Sequence, residues 1–216
     1  MDYQLIRDRI DKLVARVNEI GGEVQEVIIE EPASLEQILQ IEEQLGMKLP
    51  HSFKMVLTEF SSNFSLRWFL PEELEPPEEF KFIYCGMPHW GLELLPQFEE
   101  DRLGWIETVF PNPSDDYDAV WHHKLAFCEA GNGDYLAFDM AKGDDAPIVY
   151  LSHDDGEGHG YVMANNFLEL IENWSKIAFV GNIDDDWLPF TTSPESGIIG
   201  DGEVAKRFRS WMGLNS

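Results

Sequence analysis

Between Ser152 and Gly160 the chain reads SHDDGEGHG, which gathers His153, Asp154, Asp155, Glu157 and His159 into one short segment. Imidazole nitrogens and carboxylate oxygens are ligands for borderline and hard metal ions, so convergence of these side chains would build a metal site and, with a bound water, a hydrolase. The spacing matches neither H-E-x-x-H nor an EF-hand, whose loop alternates acidic ligands over a longer segment ending in Glu. Gly156, Gly158 and Gly160 lie between two apolar runs and read first as turn residues. Three readings stand for the segment: a solvated loop, a partner-binding loop and a metal-ligating loop. No metal and no cofactor are assigned.

Other reactive groups give weaker signals. His122 and His123 follow Trp121 and lie close in sequence to Asp115, Asp116 and Asp118, but no Ser or Cys nucleophile motif accompanies them and G-x-S-x-G is absent. Gly131-x-Gly133 precedes the strand-like run YLAFDM, not the helix that would hold a phosphate, so it reads as a hairpin turn. Cys85 and Cys128 are the only cysteines and are far apart, as expected of reduced core thiols. Among the tryptophans, Trp174 falls on a helical apolar face and is expected in the core. Trp90, between His89 and Gly91, is the better candidate for a surface anchor. No catalytic residue is assigned.

The elements that must position these groups belong to a chain of 216 residues, 44% hydrophobic and 12% aromatic, enough to bury a substantial core. Forty-one acidic residues against 15 basic ones give a formal charge of −26. The imbalance is steepest in the middle: between residues 17 and 205, 38 acidic side chains face 8 basic ones. Such a field repels phosphate backbones and anionic lipid heads and attracts cationic partners. Direct nucleic-acid binding and membrane association are therefore disfavoured. The first twenty residues interleave charge with apolar residues, unlike a secretory leader, and no run is long enough to span a bilayer, so a cytoplasmic location is expected.

Along the chain, Leu5, Ile6, Ile10, Leu13, Val14 and Val17 predict an amphipathic helix that Gly21-Gly22 ends, and Val24 to Ile29 suits a strand or extended connector. Ser34 and Gln37 form a capping box for a second helix. After Leu49-Pro50, Phe53, Val56, Leu57 and Phe60 mark a third, and the two are expected to form a helical hairpin. Phe64 to Leu70 reads as a strand, Pro71 to Glu79 as an exposed loop, and Gln97 to Phe110 as a helix weakened by Gly104. LAFCEA and YLAFDM flank the glycine turn as a β-hairpin, and PIVYL and YVMA supply two more strands. Asn165 or Asn166 caps a helix carrying Phe167, Ile171, Trp174 and Ala178. Trp187, Leu188 and Phe190 predict that the tail packs back onto the body.

Three of these stretches, IEEQLGMKLPHSFKMVLTEF, LAFCEAGNGDYLAFD and PIVYLSHDDGEGHGYVMANNFLELIENW, together resemble the SUKH superfamily, which includes yeast Smi/Knr cell-wall assembly regulators and many bacterial toxin-immunity proteins. After Phe60 the chain departs from the family's Asn-Gly-Gly type turn with Ser61-Ser62-Asn63. The resemblance implies a single α+β domain over residues 1–216, with a mixed or antiparallel sheet flanked by helices, an insertion near 71–123 and an extension from about 184. It also implies a protein-binding groove and no catalytic centre.

Resemblance and charge point to a non-catalytic domain that binds a basic protein, such as the nuclease domain of a toxin neutralised by its immunity protein. The alternatives are a regulatory scaffold unlinked to any toxin and a metal-dependent hydrolase centred on His153 and His159. The candidate partner-binding residues are His153, Asp154, Asp155, Glu157, His159 and Trp90.

Overall fold

The computed structural model describes residues 1–214. Its elements begin with α1 (Tyr3–Glu19), capped by the Asp2 carboxylate, β1 (Glu23–Ile29), α2 (Leu35–Leu45) and α3 (His51–Glu59). Next come β2 (Asn63–Phe69), β3 (Cys85–Gly86), β4 (His89–Gly91), α4 (Leu95–Thr108) and α5 (Asp116–Trp121). The second half holds β5 (Lys124–Glu129), β6 (Tyr135–Asp139), β7 (Ile148–Leu151), β8 (Val162–Ala164), α6 (Phe167–Lys176), α7 (Asp184–Trp187) and α8 (Glu203–Met212).

The strands form two antiparallel sheets where the sequence suggested one. In the first, β2 pairs with β1 on one side and with both β3 and β4 on the other. In the second, β5, β6, β7 and β8 follow one another in order. This second sheet is buried on both faces, and the two-residue period of a strand sorts its side chains accordingly. Leu125, Phe127, Leu136, Phe138, Ile148 and Tyr150 enter the main core with Phe53 and Phe167, whereas Ala126, Tyr135, Ala137, Val149 and Leu151 enter a smaller core with Phe98, Phe110 and Trp121. Two buried faces explain why LAFCEA and YLAFDM read as nearly continuous apolar runs, without the alternation of a half-solvated strand.

Ser34 and Gln37 make the reciprocal capping box that starts α2, and Gly46 ends it in the left-handed region at φ 68°. α2 and α3 follow one another across the Leu49-Pro50 step, α2 packing on α4 and α3 on α6. Buried Glu42 holds the turn between them by accepting from the Leu49 amide at 3.0 Å, Lys48 Nζ at 2.6 Å and Lys54 Nζ at 3.1 Å. The tail packs back as predicted. Phe80 is bracketed by Phe190 and Phe208, with ring centroids 6.0 and 5.3 Å away, which ties the proline- and glutamate-rich segment to α8.

Candidate functional site

The SHDDGEGHG segment connects β7 to β8 and is fixed mainly by neutral hydrogen bonds. Ser152 Oγ accepts from the Gly156 amide at 2.9 Å and donates to Asp154 Oδ1 at 3.0 Å. Asp155 adopts φ 63°, a left-handed conformation that Asp tolerates better than most residues, and its amide donates to the Tyr117 hydroxyl at 3.0 Å. That hydroxyl donates in turn to the Ser152 carbonyl at 2.7 Å. Gly158 donates to Asp184 Oδ2 at 3.0 Å, and a Cβ on Gly158 would lie 2.7 Å from both Asp184 and the Trp187 ring, so only glycine fits there.

His159 is a structural group. The Ser152 amide donates to its Nδ1 at 3.0 Å, which leaves the proton on Nε2, where it donates to the Tyr117 carbonyl at 3.1 Å. Its ring stacks on Tyr117 with centroids 3.7 Å apart, and burial holds its pKa below the ordinary imidazole value, favouring the neutral form. With both nitrogens committed, His159 has no lone pair for a metal or a substrate proton.

His153 has a different partner. Its Nδ1–H donates to Asp134 Oδ1 at 2.6 Å, and its backbone amide donates to the same oxygen at 2.8 Å. Asp134 is buried at the end of the β5–β6 turn. Its Oδ2 accepts from the Tyr150 hydroxyl at 2.6 Å and from Asn132 Nδ2 at 2.7 Å. The Tyr150 phenol is correspondingly pushed far up by burial and by this carboxylate. Asp134, His153 and Asp154 bring one potential ligand atom each within 4.8 Å of one another. Four donors already occupy the two oxygens of Asp134, so this cluster is a hydrogen-bonded anchor joining the hairpin turn to the loop. Of the sequence candidates, only His153 and Asp154 converge here; Asp155, Glu157 and His159 stand apart from it.

What the scaffold displays is negative charge. Asp154, Asp155 and Glu157 are exposed at the loop, while Asp115, Asp116 and Asp118 flank Tyr117 on α5 and Asp184 and Asp185 open α7. Tyr117 and Gly158 bond the loop to these two helices, so the carboxylates form one rim. Among the described residues, none of the rim carboxylates has a Lys, Arg or His within ion-pair distance.

Trp90 corrects the sequence reading. Pairing of β4 with β2 sets it opposite Phe64, where it is 0% exposed, stacked on that ring at 4.2 Å and edge-on to Phe167 at 5.5 Å. Its polar and glycine neighbours gave an appearance of exposure, but a three-residue strand directs its central side chain inward. Trp174 is buried as expected, and Cys85 and Cys128 are buried free thiols, with burial pushing the Cys85 thiol up to about 12.

A second concavity separates α2 from α4. It encloses about 950 Å³, with Ile41, Leu45 and Leu103 as its apolar part and Glu93, Glu100 and Glu107 among its acidic residues. Residues 32–173 match the family described as SMI1/KNR4 (SUKH-1), well over half of the chain. The chain belongs to that family. No curated protein matches it. The SUKH-1 match takes in α2 through most of α6, including Asp134, Tyr117 and the loop, and leaves α1, β1, α7 and α8 outside. No helix among the described residues is long and apolar enough to cross a membrane.

Proposed function

We propose that this SUKH-1 chain is a non-catalytic immunity protein that neutralises a basic toxin domain, such as a nuclease, through its acidic rim. The observation that carries the reading is the set of unpaired carboxylates on α5, the β7–β8 loop and α7, held on a rigid hydrogen-bonded scaffold. A rim already ordered in the free protein avoids the entropic cost of ordering a loop on binding, and its uniform sign accelerates encounter with a cation-rich partner. A non-catalytic role agrees with His159 having both nitrogens bonded and His153 being tied to a saturated Asp134.

The test screens the proteins encoded beside this gene for a basic toxin domain that binds the chain and follows its association by stopped flow across a salt series. At physiological ionic strength the screening length is about 8 Å, so the association rate should fall steeply with salt while contacts formed after docking persist. Asp154→Asn, Asp155→Asn and Glu157→Gln combined should slow association about tenfold and leave the melting temperature unchanged, since Asn also tolerates the left-handed backbone at 155. An association rate indifferent to salt and to the triple substitution would sink the proposal.

A further inference from the structure

We propose that the groove between α2 and α4 docks an amphipathic cationic helix of a partner protein, with a small residue of that helix seated over Gly104. The groove has two unlike walls. Ile41 and Leu45, one turn apart on α2, make one wall apolar, and α4 adds Leu103, whose side chain is half exposed in the free protein. Glu93, Glu100 and Glu107 edge the other wall. All three are exposed, and among the described residues none has a Lys, Arg or His within ion-pair distance. No cation lines the groove among the described residues, and its remaining acid, Glu99, is already bound by Arg102 at 2.6 and 2.8 Å. An occupant that complements these walls brings apolar surface to α2 and positive charge to α4.

Spacing selects a helix as that occupant. Seven residues of α-helix rise about 10.5 Å, so Glu100 and Glu107 stand about two turns apart on one face of α4, and Glu93 continues the row in the turn before it. A helix lying along α4 repeats its own cationic row at the same interval. Side chains on one face of a strand recur at about 6.8 Å and fall out of step with the carboxylates. Gly104 is an independent observation. It sits in the interior of α4 without a positive φ, where glycine is the least favourable residue short of proline. A Cβ added to it would meet nothing within 4 Å, so the free fold gives no steric reason for glycine. Because Gly104 lines the groove, the missing side chain lets a second helix cross at short interaxial distance. The acidic rim lies on other elements, so the groove can be filled whether or not the rim binds a toxin.

Calorimetry of the full chain with a synthetic helical peptide tests the site. The peptide is about 18 residues long, enough to span α4, with leucine at the first and fourth positions of each heptad, lysine at the fifth and alanine elsewhere. A scrambled peptide of the same composition and one with glutamate for lysine are the controls. The designed peptide should bind about tenfold more tightly than the scrambled one, and the glutamate peptide should give no heat. Gly104→Leu should weaken the designed peptide about tenfold while raising the melting temperature, since leucine is the better helix former and finds open space in the free fold. Glu100→Gln combined with Glu107→Gln should weaken binding about tenfold at low salt and flatten its salt dependence. Equal binding of the scrambled peptide, or a Gly104→Leu variant that binds as well as the parent, would overturn the site. Gly104→Ala should also raise the melting temperature; a lower value would show that the fold itself requires this glycine and would overturn the close approach. Self-association of the protein that Gly104→Leu abolishes would give the groove to a second copy and overturn the assignment to a cationic partner.

Discussion

The acidic rim and a cleft between α1, α6 and α8 handle charge in opposite ways. In the cleft, Arg9 and Lys176 share Glu172, and Lys176 also holds Asp201, so much of the local field is cancelled within the fold. At the rim, the exposed carboxylates have no cation partner among the described residues, and the scaffold beneath them is built from backbone amides, a phenol, a neutral imidazole and the buried Asp134 carboxylate that holds His153. A scaffold with no cation paired to the rim carboxylates holds the shape without quenching the charge it displays. The contrast separates a surface whose field reaches outward from one whose field is largely spent inside the protein.

The largest expected effect bears on the rim's anchor. Asp134→Ala removes the acceptor for His153, Tyr150 and Asn132 together and should cost about 3–5 kcal/mol in chemical denaturation, the range for breaking a buried charged network. Stability within about 1 kcal/mol of the parent would show that the loop is not held in this way and would dissolve the contrast.

Next in size is a pH effect at the foot of the rim. Asp186 on α7 is buried, its Oδ1 has no hydrogen-bond partner among the described residues, and burial, with Asp185 and Asp184 adding to it, raises its pKa to about 7. The folded state therefore holds this proton more tightly than the unfolded state, and the associated stability, full below about 4, is lost as pH rises towards 7. Asp186→Asn should remove that slope and raise stability at pH 8 by about 2–4 kcal/mol. His159 acts in the other direction: its lowered pKa gives stability that is present above 6.5 and is lost as pH falls. Thermal melts of Asp186→Asn from pH 4 to 8 should therefore show stability rising with pH where the parent profile is flatter. An unchanged profile would mean that Asp186 ionises as an ordinary carboxylate and that the rim's charge is not crowded.

Local patterns made much of this architecture legible. The Ser34–Gln37 box, the Asn166 cap and the Gly131–Gly133 turn each depend on residues within four positions of one another, and each formed where the sequence placed it. Pairing between distant strands was not legible: nothing near Trp90 signals that it faces Phe64. The rim was half visible. Its acidic residues stand out in the sequence, but Tyr117 and Asp134, which position the loop, are 35 and 19 residues away from the residues they hold. The short helix α5 has too few residues to show a helical period and follows the proline-containing PNPSDD stretch, although Asp115 caps it by accepting from the Tyr117 and Asp118 amides. Asp followed by a short apolar run was the available signal.

The smallest expected effect tests the cleft's side of the contrast. Asp201 is 73% exposed at its side chain, and its bond from Lys176 holds its carboxyl below the usual range, so whatever stability it adds is present at neutral pH and is lost as pH falls below about 4. Solvent screening limits so exposed a pair, and Lys176 keeps Glu172 when Asp201 is neutralised. Asp201→Asn should therefore cost less than about 1 kcal/mol at pH 7, measured by urea denaturation. A loss above about 2 kcal/mol would identify the Lys176–Asp201 contact as a structural clasp.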